Sequence, residues 1–405
     1  MKVLYIHQYF TTPSKSGGTR SYEFAQHLIR KGHQVTMLCG ESVKLNLPEN
    51  SVKGIFRGVV DGIDVIQVAV PSSNYDSIAK RIYTFVKFAW LSIKVALKED
   101  FDILFATSTP LTTAIPGIVM KCFRKKKFVF EVRDLWPELP KALGMKNPFL
   151  LVGMSLLEWM SYHCADACIG LSPGICEGIK KRSQVNKRVE MIPNGCDLDI
   201  FKPSSRENLS LSGIQQTDKV AVFTGAHGIA NGLDAILDAA SVLKSRGRKD
   251  IVLAFIGDGK MKKYLIKRAD KEKLDNCRFY NPVPKKELNE IVAAADVGLM
   301  VLANLPAFYY GTSPNKFFDY ISSGLPVLNN YPGWLADMIR ENNLGIVVPA
   351  DNPQAFADGL ILLLDNNDLK LQCGKNARVF AETYFSRELL ADKFVTFLEE
   401  VSSLK

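Results

Sequence analysis

Short apolar runs alternate with longer amphipathic stretches along the chain, the pattern of parallel strands buried on both faces and joined by helices. In the first half the runs at 3–6, 34–38, 102–108, 127–132, 167–172 and 189–192 read as strands, and 55–57 with 65–70 as a hairpin region. Helices are expected at 21–31, 82–98 and 148–164. The rhythm breaks at Pro193-Asn194-Gly195, a turn followed by polar residues through 211. It then restarts, with strands at 220–223, 251–256, 277–280, 297–301 and 326–328 and a helix at 233–245. The prediction is an α/β chain of two doubly wound, Rossmann-like domains facing each other over a cleft. Their expected limits are 1–198 and 199–380, with 381–405 a C-terminal helix returning to the first domain.

Length supports that division, because 405 residues exceed what one core usually holds. Nearly half the residues are apolar, so large-scale disorder is excluded. The formal charge of +9 is partly packed into 121–127, which reads as a solvated loop or as a patch for an anionic partner. Eight cysteines without a CxxC pair point to buried thiols in a reducing compartment, Cys164 and Cys168 among the core. The chain enters a strand at once, so no signal peptide is expected, and no run is apolar enough to span a bilayer. The aromatic stretch 82–98, interleaved with Lys80, Arg81, Lys87, Lys94 and Lys98, reads as a core helix or as one lying in a membrane interface.

Candidate chemistry collects where apolar runs give way to polar loops, the carboxyl ends of the strands. After the first run come Gly17, Gly18, Thr19 and Arg20, where glycines permit close approach and an arginine can reach an anion. GxGxxG is absent, which argues against a nicotinamide site. After 127–132 comes Arg133-Asp134-Leu135-Trp136-Pro137-Glu138, dense in groups that bind or move protons; an Arg133–Asp134 pair of structural use is the alternative. The spacing of Asp197 and Asp199 could hold a metal-diphosphate, but the pair follows a turn in a linker and reads as structural. In the second half Ser313-Pro314-Asn315-Lys316 reads as a loop entering a helix that runs to about Ser323, with Ser313 the N-cap and Gly324 the stop. Its free amides and Lys316 suit phosphate, and Asp319, one turn on, suits ribose hydroxyls. An ordinary helix start with a surface Lys–Asp pair would look the same.

In order and spacing these phrases, with Arg30-Lys31-Gly32-His33-Gln34-Val35, Ile192-Pro193-Asn194-Gly195, Gly257-Asp258-Gly259, Val283-Pro284, Ala295-Asp296-Val297 and 318–327, resemble the retaining GT-B glycosyltransferases of family 4. The phrase Ile6-His7-Gln8-Tyr9-Phe10, the glycine loop and the 133–138 loop look like bacterial transferases of O-antigen or capsule assembly, in particular N-acetyl-L-fucosamine transferases. The resemblance implies a nucleotide-diphosphate sugar, UDP-linked, as co-substrate, with no cofactor and no metal. It puts the base near Asn281 and Val283, and the diphosphate at Gly225, His227, Gly228 and Asn231 with Gly257 and Asp258 beside them. Ser313, Pro314, Asn315 and Lys316 then meet the phosphates or sugar and Asp319 the ribose. Gly17, Gly18, Thr19 and Arg20 fall on the acceptor side. The implied acceptor is a lipid-linked glycan, and the implied location is the cytoplasm, peripheral at the inner membrane; no nucleic-acid partner is expected.

Three departures from the family pattern stand out. Gly311 replaces the first glutamate of its E-x7-E motif, Asp319 standing for the second. Ala226-His227 and Asn231-Gly232 stand where many members carry an arginine and a lysine, leaving amides, His227 and Lys316 to carry diphosphate charge. Arg133 occupies the place of a histidine. Retention implies stabilising the leaving diphosphate, by Lys316 and helix amides, and holding the acceptor hydroxyl, by Asp134 oriented by Arg133 or by Glu138. The alternatives are a nucleotide-sugar epimerase of the same fold and a nucleotide-sugar-binding protein with degenerate catalysis.

Overall fold

The computed structural model describes residues 1–15, 17–49, 53–73, 76–204 and 211–404. Eight strands, β1 (Lys2–Ile6), β2 (Gln34–Glu41), β3 (Ile55–Val60), β4 (Ile63–Pro71), β5 (Ile103–Thr107), β6 (Lys127–Val132), β7 (Ala167–Gly170) and β8 (Arg188–Met191), form one sheet in the order β3-β4-β2-β1-β5-β6-β7-β8. Neighbours are parallel except in the hairpin β3–β4. β5 shows no alternation because both of its faces are covered and all five residues are buried. On one face the helices Ile78–Ala96, Ala114–Arg124 and Pro148–Cys164 lie side by side. On the other, Arg20–Arg30 packs with the last helix, Arg387–Ser403, whose Phe394 stacks on Phe24 at 4.5 Å and meets Phe105 at 4.9 Å. The end of the chain thus completes the first domain's core.

The second sheet holds β9 (Lys219–Thr224), β10 (Ile251–Ile256), β11 (Cys277–Tyr280), β12 (Val297–Met300), β13 (Val327–Asn329) and β14 (Gly345–Val347), all parallel, in the order β11-β10-β9-β12-β13-β14. Two doubly wound α/β domains are therefore what the apolar runs predicted. The helix expected at 82–98 begins earlier, at Ile78, where the Ser77 side chain accepts from the Lys80 amide. Not every thiol is buried: Cys122 is exposed on the middle helix and Cys164 half-buried at a helix end.

The chain crosses between the domains twice, at 192–201 and at 384–387, and the crossings run together. Cys196 donates from its amide to the Phe385 carbonyl at 2.6 Å, and the Arg387 amide to the Cys196 carbonyl at 2.8 Å. Beside them Asp197 is buried and accepts from Lys285 of the second domain and from Arg387 at 2.7 Å. Burial alone would raise its pKa, but Arg387 and Lys285 hold the carboxyl well below the usual range. Asp197 is thus an interdomain tether, and among the described residues no cluster of His, Cys, Asp or Glu could hold a metal ion.

Candidate active site

Loops past the strand ends of the two sheets meet between the domains, Gly18 lying against Asn315 and the Ser172 hydroxyl donating to the Tyr310 carbonyl at 2.7 Å, so the site is made of loops on two sheets. After β9 the backbone turns at Gly225, and after β10 at Gly257 with φ +150°, a conformation that L side chains rarely adopt. The two loops touch: a Cβ on Gly257 would overlap the Gly225 carbonyl oxygen, and the His227 amide donates to Asp258 at 2.9 Å. Gly257→Ala is therefore expected to push them apart, weakening nucleotide binding at least about tenfold and stability by about 2 kcal/mol. Titration calorimetry and denaturant unfolding read both; wild-type values would separate the glycine from the site.

His227 stands in this wall with its ring among Phe223, Phe255 and Phe279, centroids 6.1 to 6.4 Å away. It is fully buried, and neither ring nitrogen has a partner among the described residues. Burial and then the charge of Lys262 push its pKa down to about 4. The expectation that His227 carries diphosphate charge is corrected: at neutral pH the imidazole is uncharged and offers one N–H donor. Lys262, which the sequence reading passed over, ties the neighbouring loops by donating to the carbonyls of Gly257 and Tyr280 at 2.8 Å and to Asn281 at 3.1 Å. Asn281 and Val283, just past β11, thus stand beside the glycine loops, Asn281 exposed and Val283 half-buried.

The helix Asn315–Ser322 enters the same end of the sheet, but not as expected. Pro314 occupies the N-cap position, and the Ser313 hydroxyl does not cap; it accepts from the Asn194 amide at 3.0 Å, across the domain boundary. Lys316 reaches back from this helix, its ammonium donating to Asn231 at 3.0 Å and lying 4.2 Å from the centre of the Phe223 ring. Desolvation pushes its pKa down to about 7, against the ring face, which favours the charged form. A Cβ on Gly225 would lie 3.3 Å from the Lys316 side chain, so ammonium and glycine loop form one surface, and Gly228 opens onto free space. Asp319 is not the surface partner of Lys316. It points toward Lys285, Asp197 and Arg387 and is buried, and its carboxylate accepts no hydrogen bond among the described residues. Burial raises its pKa to about 6. A buried carboxylate without a donor is costly unless a ligand supplies one.

Across the cleft, Glu131 organises the first domain's side. Its buried carboxylate holds Arg20 at 2.7 Å, accepts from Thr107 at 2.6 Å and lies 3.3 Å from Arg133. Burial would raise its pKa, but Arg20 and Arg133 bring it below the usual value. Arg20 also donates to the carbonyls of Ile192 and Pro193 and is 1% exposed, so its assignment to an acceptor anion is corrected. Thr19 is likewise buried and accepts from Lys285 at 3.2 Å. Gly18 lies against Asn315 of the other domain: a Cβ there would come within 2.8 Å of the amide nitrogen. At Gly18 the glycine loop therefore closes on the second domain, while Gly17 packs against Thr11 of its own loop.

Arg133 does not orient Asp134. It donates to Thr107 at 2.8 Å and to Ser21 at 3.3 Å, while Thr109 donates to Asp134 at 3.0 Å. Asp134 is half-buried, and desolvation raises its pKa. With Leu135, Glu138, Leu139, Ala307, Phe308 and Gly311 it lines a narrow recess between the domains. Glu138 pairs with Arg182 at 2.7 Å on the exposed rim, which leaves Asp134 as the carboxylate facing inward. Gly311 has a backbone reason to be glycine, because a Cβ would come within 2.5 Å of the Ala307 carbonyl oxygen. His7, at the end of β1 and absent from the expected site, is buried with Nδ1 unpartnered; burial and the charge of Arg133 hold its pKa well below the ordinary value.

Residues 17–200 match the family described as Glycosyltransferase Family 4, and residues 205–380 that described as Glycosyl transferases group 1. The probable glycosyltransferase WbjE of Pseudomonas aeruginosa is 24% identical over 342 residues, 82% of this chain and 84% of that protein. A match to the D-inositol 3-phosphate glycosyltransferase of Corynebacterium glutamicum (strain R), 25% identical, spans about half of each protein. Two solved structures share the fold along 98% or more of each chain: WaaG, a glycosyltransferase involved in lipopolysaccharide biosynthesis, with a TM-score of 0.72 at 18% identity, and Anabaena Alr3699/HepE in complex with UDP and glucose, with 0.70 at 15%.

Proposed function

We propose, from the premise that this chain is a glycosyltransferase of the GT-B type, that it moves an N-acetylated amino sugar from a UDP-linked donor to a lipid-linked glycan in bacterial surface-polysaccharide synthesis, with retention of configuration. One observation carries the donor assignment. Lys316 and the Gly225 and Gly257 loops form one surface at the end of one sheet, and one turn further along the Lys316 helix Asp319 is a buried carboxylate without a hydrogen-bond donor. A diphosphate between the glycine loops and Lys316 would give that ammonium the counter-charge that Asn231 and the Phe223 ring do not supply, and ribose hydroxyls would give the Asp319 carboxylate its missing donors. The UDP and glucose in the HepE complex support a uridine donor, and WaaG, involved in lipopolysaccharide biosynthesis, supports a role in surface glycans.

In this reading Lys316 and loop amides stabilise the leaving diphosphate. Asp134, held by Thr109, positions the acceptor hydroxyl on the face from which the nucleotide departs. Loss of sugar transfer in Asp134→Ala with unchanged donor affinity is the expected result; retained transfer would remove Asp134 from the acceptor site.

The depressed Lys316 pKa makes donor binding pH-dependent. Bound phosphate favours the ammonium, so above pH 7 binding must take up a proton. Through Lys316 affinity should fall by up to about tenfold per unit as the pH rises through 7, while below about pH 6 protonation of Asp319 removes the carboxylate that accepts from ribose. Kd measured at about pH 6.5 and about pH 8.5 tests the sign for Lys316, and Lys316→Arg should flatten that limb. Affinity that rises with pH would contradict it.

A further inference from the structure

The first domain carries a face that its own core does not use. Its three side-by-side helices should turn polar residues outward, yet many of the outward positions are large and apolar. On Ile78–Ala96, Ile78, Ile82, Val86 and Trp90 recur at every fourth residue, flanked by Tyr83 and, just past the helix, Leu97, all of them exposed. On Pro148–Cys164, Phe149, Val152, Leu156 and Trp159 are exposed along one stripe, Phe149 at 87%. Glu158, the only acid or base that helix contains apart from His163, is turned inward onto Arg182 and Tyr162. Phe123, 80% exposed, closes the helix between them.

The charge of this layer is nearly all of one sign, because the acids at its margins, Asp76, Glu138 and Glu158, are taken up by Lys80 and Arg182. Residues 77–98, 114–127 and 139–157 contain twelve Lys and Arg and no Asp or Glu, more positive charge than the +9 of the whole chain. Lys94, Lys98, Lys125, Lys141 and Lys146 form no ion pair among the described residues. The ammonium groups of Lys87 and Lys94 lie 6.0 and 5.1 Å from the ring centres of Tyr83 and Trp90, so cations and aromatic side chains share one level.

We infer that this three-helix face docks onto an anionic lipid bilayer. Apolar stripes fit the acyl boundary and the lysines fit anionic headgroups. A second copy of this chain fits worse, because it would set two positive layers against each other. Nucleic acid offers nothing to Ile, Val and Leu at the centre of the face. No helix of the described residues is long and apolar enough to cross a membrane, so the contact is a surface one. In a parallel sheet each connecting helix starts at the carboxyl end of the preceding strand. The Ile78 and Phe149 ends of the stripes therefore lie at the cleft rim, and docking brings the mouth of the cleft to the headgroups. This orientation rests on the proposed lipid-linked acceptor; the bilayer contact itself does not.

The full chain, without nucleotide sugar, is cosedimented with vesicles of phosphatidylcholine and of phosphatidylcholine mixed with phosphatidylglycerol. Binding to the mixed vesicles is expected, at least about tenfold weaker on phosphatidylcholine alone, and reduced by salt. Trp90→Glu with Trp159→Glu alters exposed side chains only, so the melting temperature should hold while vesicle binding falls at least about tenfold. Lys94→Glu with Lys98→Glu should abolish the preference for phosphatidylglycerol. Wild-type protein left in the supernatant by both vesicles would overturn the inference, as would unimpaired binding by the tryptophan pair. A dimer in sedimentation velocity that the same pair dissociates would also overturn it, giving the face to a second copy. Donor binding is read separately, so failure of the transferase reading leaves this result standing.

Discussion

Lys316→Ala is expected to lower kcat/KM for sugar transfer by about a hundredfold to a thousandfold, the usual cost of removing one preorganised partner of developing charge. The ammonium lies over Phe223, tied to Asn231 and against Gly225, where few water molecules compete with it. Folding should barely notice, because a lysine held near neutrality by desolvation adds little stability. Steady-state transfer with matched unfolding curves separates the two effects. Arg in the same place should restore only part of the rate, since a longer guanidinium stacked on the ring sets its donors elsewhere than the compact ammonium. Wild-type transfer by Lys316→Ala would mean that the leaving group is stabilised elsewhere.

Glu131→Ala should act on the other quantity. Removing the carboxylate leaves Arg20 almost fully buried with only two backbone carbonyls, and Arg133 without its acid. Breaking a buried pair from one side costs about 3–5 kcal/mol, or roughly 6–20 °C in melting temperature for a domain of this size. Calorimetry measures it, and a loss of under about 1 kcal/mol would show that water or a neighbour replaces the acid. Glu131 also anchors Thr107 and Arg133 at the ends of β5 and β6, so surviving protein should bind donor normally and transfer poorly.

The fold was legible because parallel strands covered on both faces leave continuous apolar runs, as in β5, β6 and β10. β14, only three half-buried residues, carries no such signal. For the site, strand ends followed by glycines and charges marked loops that the fold brings together between the two sheets. Their side-chain directions were not readable. Whether Arg20 faces a ligand or the core depends on Glu131, 111 residues away, and the partners of Asp197 lie 88 and 190 residues away. Two neighbouring charges, Arg133 and Asp134, look like a pair in sequence, yet each bonds to a separate threonine. The helix expected at 148–164 is apolar nearly all round, so its sequence does not mark an outer face, and only the arrangement of its neighbours leaves Phe149 and Trp159 in the open.

The central claim is that the second domain holds a nucleoside-diphosphate sugar between the glycine loops, Lys316 and Asp319. Thermal unfolding of wild type and Asp319→Ala against a panel of UDP- and GDP-linked sugars tests it most directly, since a ligand at about a hundred times its Kd adds about 2.7 kcal/mol to the folded state. A UDP-linked sugar should raise the wild-type melting temperature by several degrees and leave Asp319→Ala nearly unmoved. No shift with any nucleotide sugar, or the same shift in both proteins, would contradict the claim.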